Sequence, residues 1–220
     1  MARQVSIGVL ISGGGTNLQS IIDAIEAKKL DAKIQFVLSN KADAYGLVRA
    51  KNHGVSTEVL DHKAFPSREA YDQAVVDLLH ARGVELVVLA GFMRLLSPVF
   101  VKAYSNRIMN IHPALLPAFP GLHAQKKALE YGVRCAGCTV HFVNEECDEG
   151  PIIIQAVVPV FADDTEEALA ARILKQEHRI YPRAIQLYAE GRLRVVGRRV
   201  SVDGFSKDED QVLIQPSLAR

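Results

Sequence analysis

The sequence predicts an α/β fold in which a Rossmann-like, mostly parallel sheet is flanked by helices on both faces. Short apolar runs alternate with amphipathic segments through the first half of the chain, which is the pattern of right-handed βαβ units. One run, ELVVLAGF (85–92), is apolar almost throughout, as expected of a strand covered on both faces. The second half has closely spaced strands, so an antiparallel part is expected toward the C-terminus.

The first half is predicted to contain five strands and three helices. Apolar residues at helical spacing, such as Leu18, Ile21 and Ile25, favour a helix directly after the first strand. A glycine ends the third helix, as at many helix C-termini. The predicted strands are 5–12, 34–40, 56–60, 85–92 and 107–112, and the predicted helices are 16–29, 46–54 and 67–83.

The second half is predicted to begin with a helix at 123–132, followed by an antiparallel strand pair at 138–143 and 151–160. A long helical stretch at 163–191 comes next. Asp164 and Glu167 suggest a capping-box start for it, and Pro182 is expected to bend or divide it. Residues 191–204 are typical of a terminal hairpin, and the last dozen residues are expected to be loose. The whole chain, 1–220, is predicted to form a single domain.

Composition argues against several classes of partner. Apolar residues make up 49% of the 220 residues and charged residues 23%, which is enough for a sizeable core. The net charge of +1 gives no reason to expect nucleic acid or an anionic membrane. We find no signal peptide and no apolar stretch that could span a bilayer. The odd number of cysteines, three, fits a reducing cytoplasm.

The glycine-rich stretch ISGGGTNLQ (11–19) joins the first strand to the first helix. In an open α/β sheet this turn lies where ligands bind, and the free N–H groups of a helix N-terminus suit a phosphate. A dinucleotide is disfavoured, because Leu18 replaces the third glycine of the fingerprint and no ribose-binding acid follows the next strand. The loop therefore favours a monophosphate and argues against a nicotinamide cofactor. The plainer interpretation is a glycine turn that only connects two elements.

Asn110 and His112 lie two residues apart at the end of the fifth strand, so their side chains point to the same side. Pro113 favours an extended backbone at His112, and further prolines stiffen the loop that follows. An amide beside an imidazolium can stabilise a developing oxyanion. The alternative is a buried histidine bonded to backbone, which is the usual fate of a lone histidine.

Four acids between two later strands could pair with His112 and favour its charged form. Spacing alone does not choose among Glu145, Glu146, Asp148 and Glu149. A solvated acidic turn explains them equally well.

Zinc and a covalent nucleophile are both disfavoured. Cys135 and Cys138 have C-x-x-C spacing without a second pair, Cys147 is the remaining thiol, and His141 lies within a strand. No GxSxG motif is present. No metal is therefore expected, and the roles of the three cysteines stay open.

From Val5 to Gly191 the chain resembles the glycinamide ribonucleotide formyltransferases, a folate-dependent family of purine biosynthesis. The resemblance rests on LISGGGTNLQ, SNKADAYGL, SREAYD, VVLAGFMRLLSP, NIHPALLPAFPGLHA, TVHFVNEECDEGPIIIQ and QEHRIYP. It implies the formyltransferase fold and formyl transfer from 10-formyltetrahydrofolate to the amine of glycinamide ribonucleotide, in the de novo route to IMP. Both small molecules are then substrates, and a monomer or weak homodimer is expected.

The resemblance also implies roles for individual residues. Asn110, His112 and Asp148 match the catalytic trio, which selects Asp148 among the acids. Other matching positions would contact the two substrates. They are Gly15, Thr16, Asn17 and Glu177 for the nucleotide, and Arg68, Met93, Arg94, Leu95, Leu96 and Asn110 for the folate.

Related activities are less compatible with this sequence. A formyltetrahydrofolate hydrolase would have an N-terminal regulatory domain and no need of a phosphate loop. A methionyl-tRNA formyltransferase would need a C-terminal basic RNA-binding domain. A non-catalytic binding module would not need Asn110, His112 and Asp148 together.

Overall fold

The computed structural model describes residues 4–204, which form one nine-stranded sheet and six α-helices. In chain order the strands are β1 (Val5–Ile11), β2 (Ala32–Ser39), β3 (Thr57–Val59), β4 (Leu86–Leu89), β5 (Ile108–His112), β6 (Cys135–Phe142), β7 (Ile152–Pro159), β8 (Leu193–Val196) and β9 (Arg199–Val202). The helices are α1 (Thr16–Glu26), α2 (Tyr45–Asn52), α3 (Arg68–Ala81), α4 (Pro98–Ala103), α5 (Ala124–Tyr131) and α6 (Glu166–Ala189), with a 3-10 helix at His62–Ala64.

The strand order is β3-β2-β1-β4-β5-β6-β7-β9-β8. The first five strands of this order are parallel, and β6 pairs antiparallel with both of its neighbours, β5 and β7. The terminal hairpin, β8 and β9, extends the same sheet, because Arg199 of β9 pairs in parallel with Ile152 of β7. The predicted parallel sheet, its antiparallel part and the hairpin are confirmed.

Helices cover both faces of the sheet, as predicted. Along β1 the side chains alternate between two apolar clusters: Val9 and Ile11 face the cluster that contains α1, α2 and α6, whereas Leu10 faces the cluster that contains α3 and α4. Alternation follows from the two-residue period of a strand. Burying each of these aliphatic side chains contributes about 1.5–3 kcal/mol.

The start of α6 differs from the prediction. The N-cap is Thr165, whose hydroxyl accepts the N–H of Ala168 at 3.2 Å. Asp164 instead accepts the Phe161 N–H at 2.8 Å and forms an ion pair with Arg172 at 2.7 Å. The predicted Asp164–Glu167 capping box is therefore wrong, because a stronger charged partner lies two turns along the helix.

Pro182 lies inside α6 without dividing it, since the helix is continuous from Glu166 to Ala189.

Two short elements were not predicted: α4, which has six residues, and the 3-10 helix. Both are too short for their periodicity to be recognised. The last dozen residues, expected to be loose, lie outside the described residues.

One side chain of α6 connects the helix to the middle of the sheet. Tyr181 is fully buried, and its hydroxyl lies 3.0 Å from the Leu89 carbonyl oxygen and 2.9 Å from that of Met109. A single O–H proton is shared between these two acceptors on β4 and β5. Burial raises the pKa of Tyr181 well above its ordinary value, so the hydroxyl stays a donor.

We predict that Tyr181→Phe lowers the free energy of unfolding by about 1–3 kcal/mol, because two buried carbonyl groups lose their donor. Urea unfolding measures the change. Tyr131→Phe is the matched control, since Tyr131 is 79% exposed and should give no change. Equal stabilities for Tyr181→Phe and the wild type would contradict the predicted contribution of this hydroxyl.

Candidate active site

The carboxyl ends of three parallel strands open at one edge of the sheet. β4 lies between β1 and β5, with Leu89 paired to Leu10 on one side and to Asn110 on the other. The chain moves outward from β1 to β2 and β3 and then returns to β4, so the loops after β1 and β4 diverge. Such a switch point is the usual ligand-binding crevice of an open α/β sheet. It brings together the glycine loop, the segment after β4 and His112.

Helix α2 packs closely against the glycine loop. Gly15 has φ = 70°, and a Cβ there would lie 2.6 Å from the Cα of Gly46, so both conformation and space require glycine. The Gly46 N–H donates to the Gly13 carbonyl oxygen at 3.0 Å. Within residues 4–204, no side chain caps the N-terminus of α1, which begins at Thr16. The first-turn N–H groups are thus oriented as an anion site requires.

Arg49 supplies positive charge beside this loop, and the sequence reasoning missed it. Its Nε donates to the Gly14 carbonyl oxygen at 2.9 Å. Its guanidinium also lies 5.1 Å from the centre of the Tyr45 ring. Nothing in the local sequence marks this arginine, because its position depends on how α2 packs against the loop.

Asn17 and Glu177 meet where α6 crosses the start of α1. The Asn17 Nδ2 donates to Glu177 Oε2 at 2.7 Å. Only 7% of Glu177 is exposed, and burial raises the pKa of its carboxyl, with a smaller opposing effect of the Asn17 hydrogen bond. The structure thus places Glu177 next to the first turn of α1, from which it is separated by 160 positions in sequence.

His112 has an oxygen acceptor at each ring nitrogen. Nε2 lies 3.0 Å from the Phe119 carbonyl oxygen, and Nδ1 lies 3.4 Å from Asp148 Oδ2. A carbonyl oxygen can only accept, so Nε2 carries a proton. A second proton on Nδ1 would face the carboxylate. Both ring nitrogens of this buried residue thus face oxygen acceptors.

Asp148 is the one acid of the four considered that forms an ion pair with His112 in the described part of the chain. Its Oδ2 also accepts the Gly121 N–H at 2.8 Å, which links the acidic loop to the proline-rich loop. The other three, Glu145, Glu146 and Glu149, are exposed. Glu149 instead lies 3.9 Å from Arg198 of the terminal hairpin.

His141 joins the group and was not predicted as a site residue. Its Nδ1 lies 2.9 Å from the Phe142 carbonyl oxygen, so Nδ1 donates, and burial lowers the pKa of the ring. Neutral Nε2 then accepts from Asn110 Nδ2 at 3.2 Å. This contact orients the Asn110 amide. The sequence alone does not reveal the strand register that pairs Asn110 with His141 across β5 and β6, so this contact was not predicted.

Four of the six residues expected to meet the folate, Met93 to Leu96, lie in the connection between β4 and α4. Met93 and Leu95 are 66% and 60% exposed. The Arg94 guanidinium stacks 4.8 Å from the centre of the Tyr71 ring on α3. Arg68 lies in the first turn of α3, three residues before Tyr71, and its Nε is 3.6 Å from Glu69. Arg68 and the segment with Arg94 and Leu96 therefore border the same side of α3.

The structure does not bring together a set of metal ligands. Within residues 4–204 no group of three or more His, Cys, Asp or Glu side chains is placed to hold a metal ion. Cys135, Cys138 and Cys147 are free thiols. Burial raises the pKa of Cys138 to about 12, which keeps it protonated. Among the described residues, none of the helices has the length and apolar character that crossing a bilayer requires.

Comparison with known proteins shows which family the chain belongs to. Residues 5–185 match the model of the family described as Formyl transferase. The chain belongs to the formyl transferase family. This confirms the family expected from the motifs. Formyltransferases of this family use 10-formyltetrahydrofolate as the formyl donor.

Individual relatives cover nearly the whole of this formyl transferase. Phosphoribosylglycinamide formyltransferase of Escherichia coli is 49% identical over 212 residues, which are 93% of this chain and 100% of that one. A solved glycinamide ribonucleotide transformylase 1 from Symbiobacterium toebii has a TM-score of 0.90 at 56% identity, covering 92% of this chain and 95% of the other. The phosphoribosylglycinamide formyltransferase of Coxiella burnetii gives 0.88 at 44% identity, with coverages of 92% and 95%.

For this formyl transferase we predict that Glu177→Gln gains stability relative to the wild type as pH rises. The pKa of Glu177 is raised above the ordinary 4.5. The unfolded chain therefore loses this proton first, and the wild type loses stability from about pH 4.5 up to the folded-state pKa. Glutamine does not titrate. Each pH unit between the two pKa values corresponds to about 1.4 kcal/mol.

Urea unfolding at pH 4 and pH 8 measures this difference. Glu130→Gln is the control, because Glu130 is exposed on α5 and should show no such trend. A stability difference between Glu177→Gln and wild type that stays constant between these pH values would contradict the raised pKa.

Proposed function

We propose that this enzyme transfers the formyl group of 10-formyltetrahydrofolate to the primary amine of glycinamide ribonucleotide, giving formylglycinamide ribonucleotide and tetrahydrofolate in de novo purine biosynthesis. The observation that carries the proposal is the position of Asn110, His112 and Asp148 at the same sheet edge as the glycine loop. The relatives named as phosphoribosylglycinamide formyltransferase support the same reaction.

The reaction needs no serine or cysteine nucleophile, because the substrate amine attacks the formyl carbon itself. The carbonyl oxygen then becomes an oxyanion, and the tetrahedral carbon holds both the amine and the folate N10. Asn110, through the N–H not used by His141, and protonated His112, through Nε2, would stabilise that oxygen. The formyl oxygen would replace the Phe119 carbonyl oxygen as the acceptor of the His112 proton.

Asp148 would keep His112 charged and help to move a proton. As the carbon–N10 bond breaks, N10 must gain a proton while the attacking nitrogen loses one. The Asp148 carboxylate, 3.4 Å from His112 Nδ1, can accept a proton from the amine and return it toward N10, directly or through water. Its hydrogen bond from the Gly121 N–H fixes the carboxylate for this purpose.

The substrate contacts are part of the same proposal. Gly15, Thr16 and Asn17 would hold the nucleotide phosphate at the N-terminus of α1, and Glu177 would contact the glycinamide part. Support comes from the uncapped helix end and from the 2.7 Å bond between Asn17 and Glu177. For the folate, backbone groups after β4 would meet the pterin, and Arg68 would lie near the glutamate tail. Those residues after β4 are Met93, Arg94, Leu95 and Leu96.

We also propose that the chain is a single domain and acts as a monomer or weak homodimer in the cytoplasm, without nucleic acid or membrane partners. The single sheet that runs from β3 to β8 supports one domain. Analytical ultracentrifugation at several concentrations tests the oligomeric state.

The decisive assay follows tetrahydrofolate release from 10-formyltetrahydrofolate with and without glycinamide ribonucleotide. Release that requires the nucleotide and yields formylglycinamide ribonucleotide supports amine formylation. Release at the same rate without the nucleotide indicates a hydrolase, and the roles of Gly15, Thr16, Asn17 and Glu177 would then be withdrawn.

We predict that His112→Ala lowers kcat by about 10²–10⁴-fold and changes both KM values little, because the imidazolium acts on charge that develops in the transition state. Steady-state kinetics measures this. His80→Ala is the control, since His80 is an exposed residue near the end of α3. An effect on KM alone would move His112 to a binding role.

A further inference from the structure

Residues 91–97, in the connection between β4 and α4, have neither helical nor strand structure. Phe92 and Leu96 pack in the cluster that contains α3 and α4, whereas Met93 and Leu95 are mostly exposed. A segment without regular backbone hydrogen bonding depends on neighbouring elements for a defined conformation. The residues that fix it are therefore of interest, because its backbone is where the proposed function places the pterin.

The N-terminal part of the segment is held by Ser12, which follows β1. Its backbone N–H donates to the Gly91 carbonyl oxygen at 3.0 Å. Its hydroxyl accepts the Met93 N–H at 2.9 Å and donates to Asn40 Oδ1 at 2.6 Å. Ser12 is 94% buried. One side chain thus joins the loops after β1, β2 and β4.

The C-terminal end of the segment is held by Asp72 of α3. Asp72 Oδ2 accepts the Ser97 N–H at 2.5 Å. Asp72 is 99% buried, and a buried carboxylate is costly unless it is hydrogen-bonded. A charge-assisted bond to backbone is among the stronger hydrogen bonds in proteins. The neighbouring Tyr71 also carries the stacked guanidinium of Arg94, so one turn of α3 holds the segment at two points.

We infer that Ser12 and Asp72 are positioning residues that set the conformation of 91–97 for folate binding. The inference rests on the proposed function, because it takes this segment to be the folate-binding one. Asp72 forms its hydrogen bond on the folate side of the site. Ser12 also belongs to the glycine-rich stretch, so its substitution is expected to affect nucleotide binding as well as folate binding.

The two residues therefore have different kinetic signatures. Asp72→Asn keeps the shape of the side chain but removes the charge that strengthens its bond to the Ser97 N–H. We expect the KM for 10-formyltetrahydrofolate to rise about tenfold, with the KM for glycinamide ribonucleotide unchanged. Ser12→Ala removes the acceptor of the Met93 N–H and should raise both KM values severalfold. Calorimetry should show, for each variant, a loss of tetrahydrofolate affinity that matches its increase in folate KM.

One matched variant controls for nonspecific effects. Asp77→Asn changes an exposed carboxylate on the same helix as Asp72, bonded to Gln73. This control should have wild-type KM values.

An unchanged folate KM in Asp72→Asn, or equal increases in both KM values, would overturn the inference while the proposed function stands. Wild-type enzyme that releases tetrahydrofolate without the nucleotide would instead overturn the proposed function. If Asp72→Asn does not fold, Ser12→Ala decides: an unchanged affinity for tetrahydrofolate in that variant overturns the inference.

Discussion

The site depends on the position of β4 between β1 and β5 in one parallel register. This pairing places the ends of three strands, and the loops that follow them, at one edge of the sheet. The glycine loop after β1 and His112 at the end of β5 are far apart in sequence, but the strand order leaves only β4 between them. The shared hydroxyl bond of Tyr181 to Leu89 and Met109 helps to hold β4 and β5 together at this edge.

Around His112 the fold supplies two oxygen acceptors and excludes most solvent. Asp148 and the Phe119 carbonyl come from different loops, and the Gly121 N–H connects those loops through the same carboxylate oxygen. The proline-rich loop therefore both contacts the histidine and fixes its acid. Burial lowers the pKa of His141, and the ring accepts the hydrogen bond that orients Asn110. The His112 ring and the Asn110 amide point to the same side of the strand end, an arrangement suited to stabilising an oxyanion.

The sequence was most informative where periodicity is strong. The five parallel strands and the helices α1, α3 and α6 follow from apolar patterns, and Asn110 and His112 follow from their i, i+2 spacing. Asp148 could not be separated from its three neighbouring acids by spacing, and only the resemblance to a family selected it. Arg49, His141 and Asp72 could not be found, because each acquires its contacts through packing between distant elements. Thr165 was missed as the cap of α6 because the Arg172 ion pair of Asp164 is not visible locally.

We expect one edge of the sheet to hold both substrates at once. A crystal structure with glycinamide ribonucleotide and tetrahydrofolate, which lacks the formyl group to be transferred, tests this arrangement. The phosphate should lie against Gly15 and Thr16, and the glycinamide amine and folate N10 should both lie beside Asn110 and His112. A phosphate bound away from the glycine loop, or an amine directed away from His112, would contradict it.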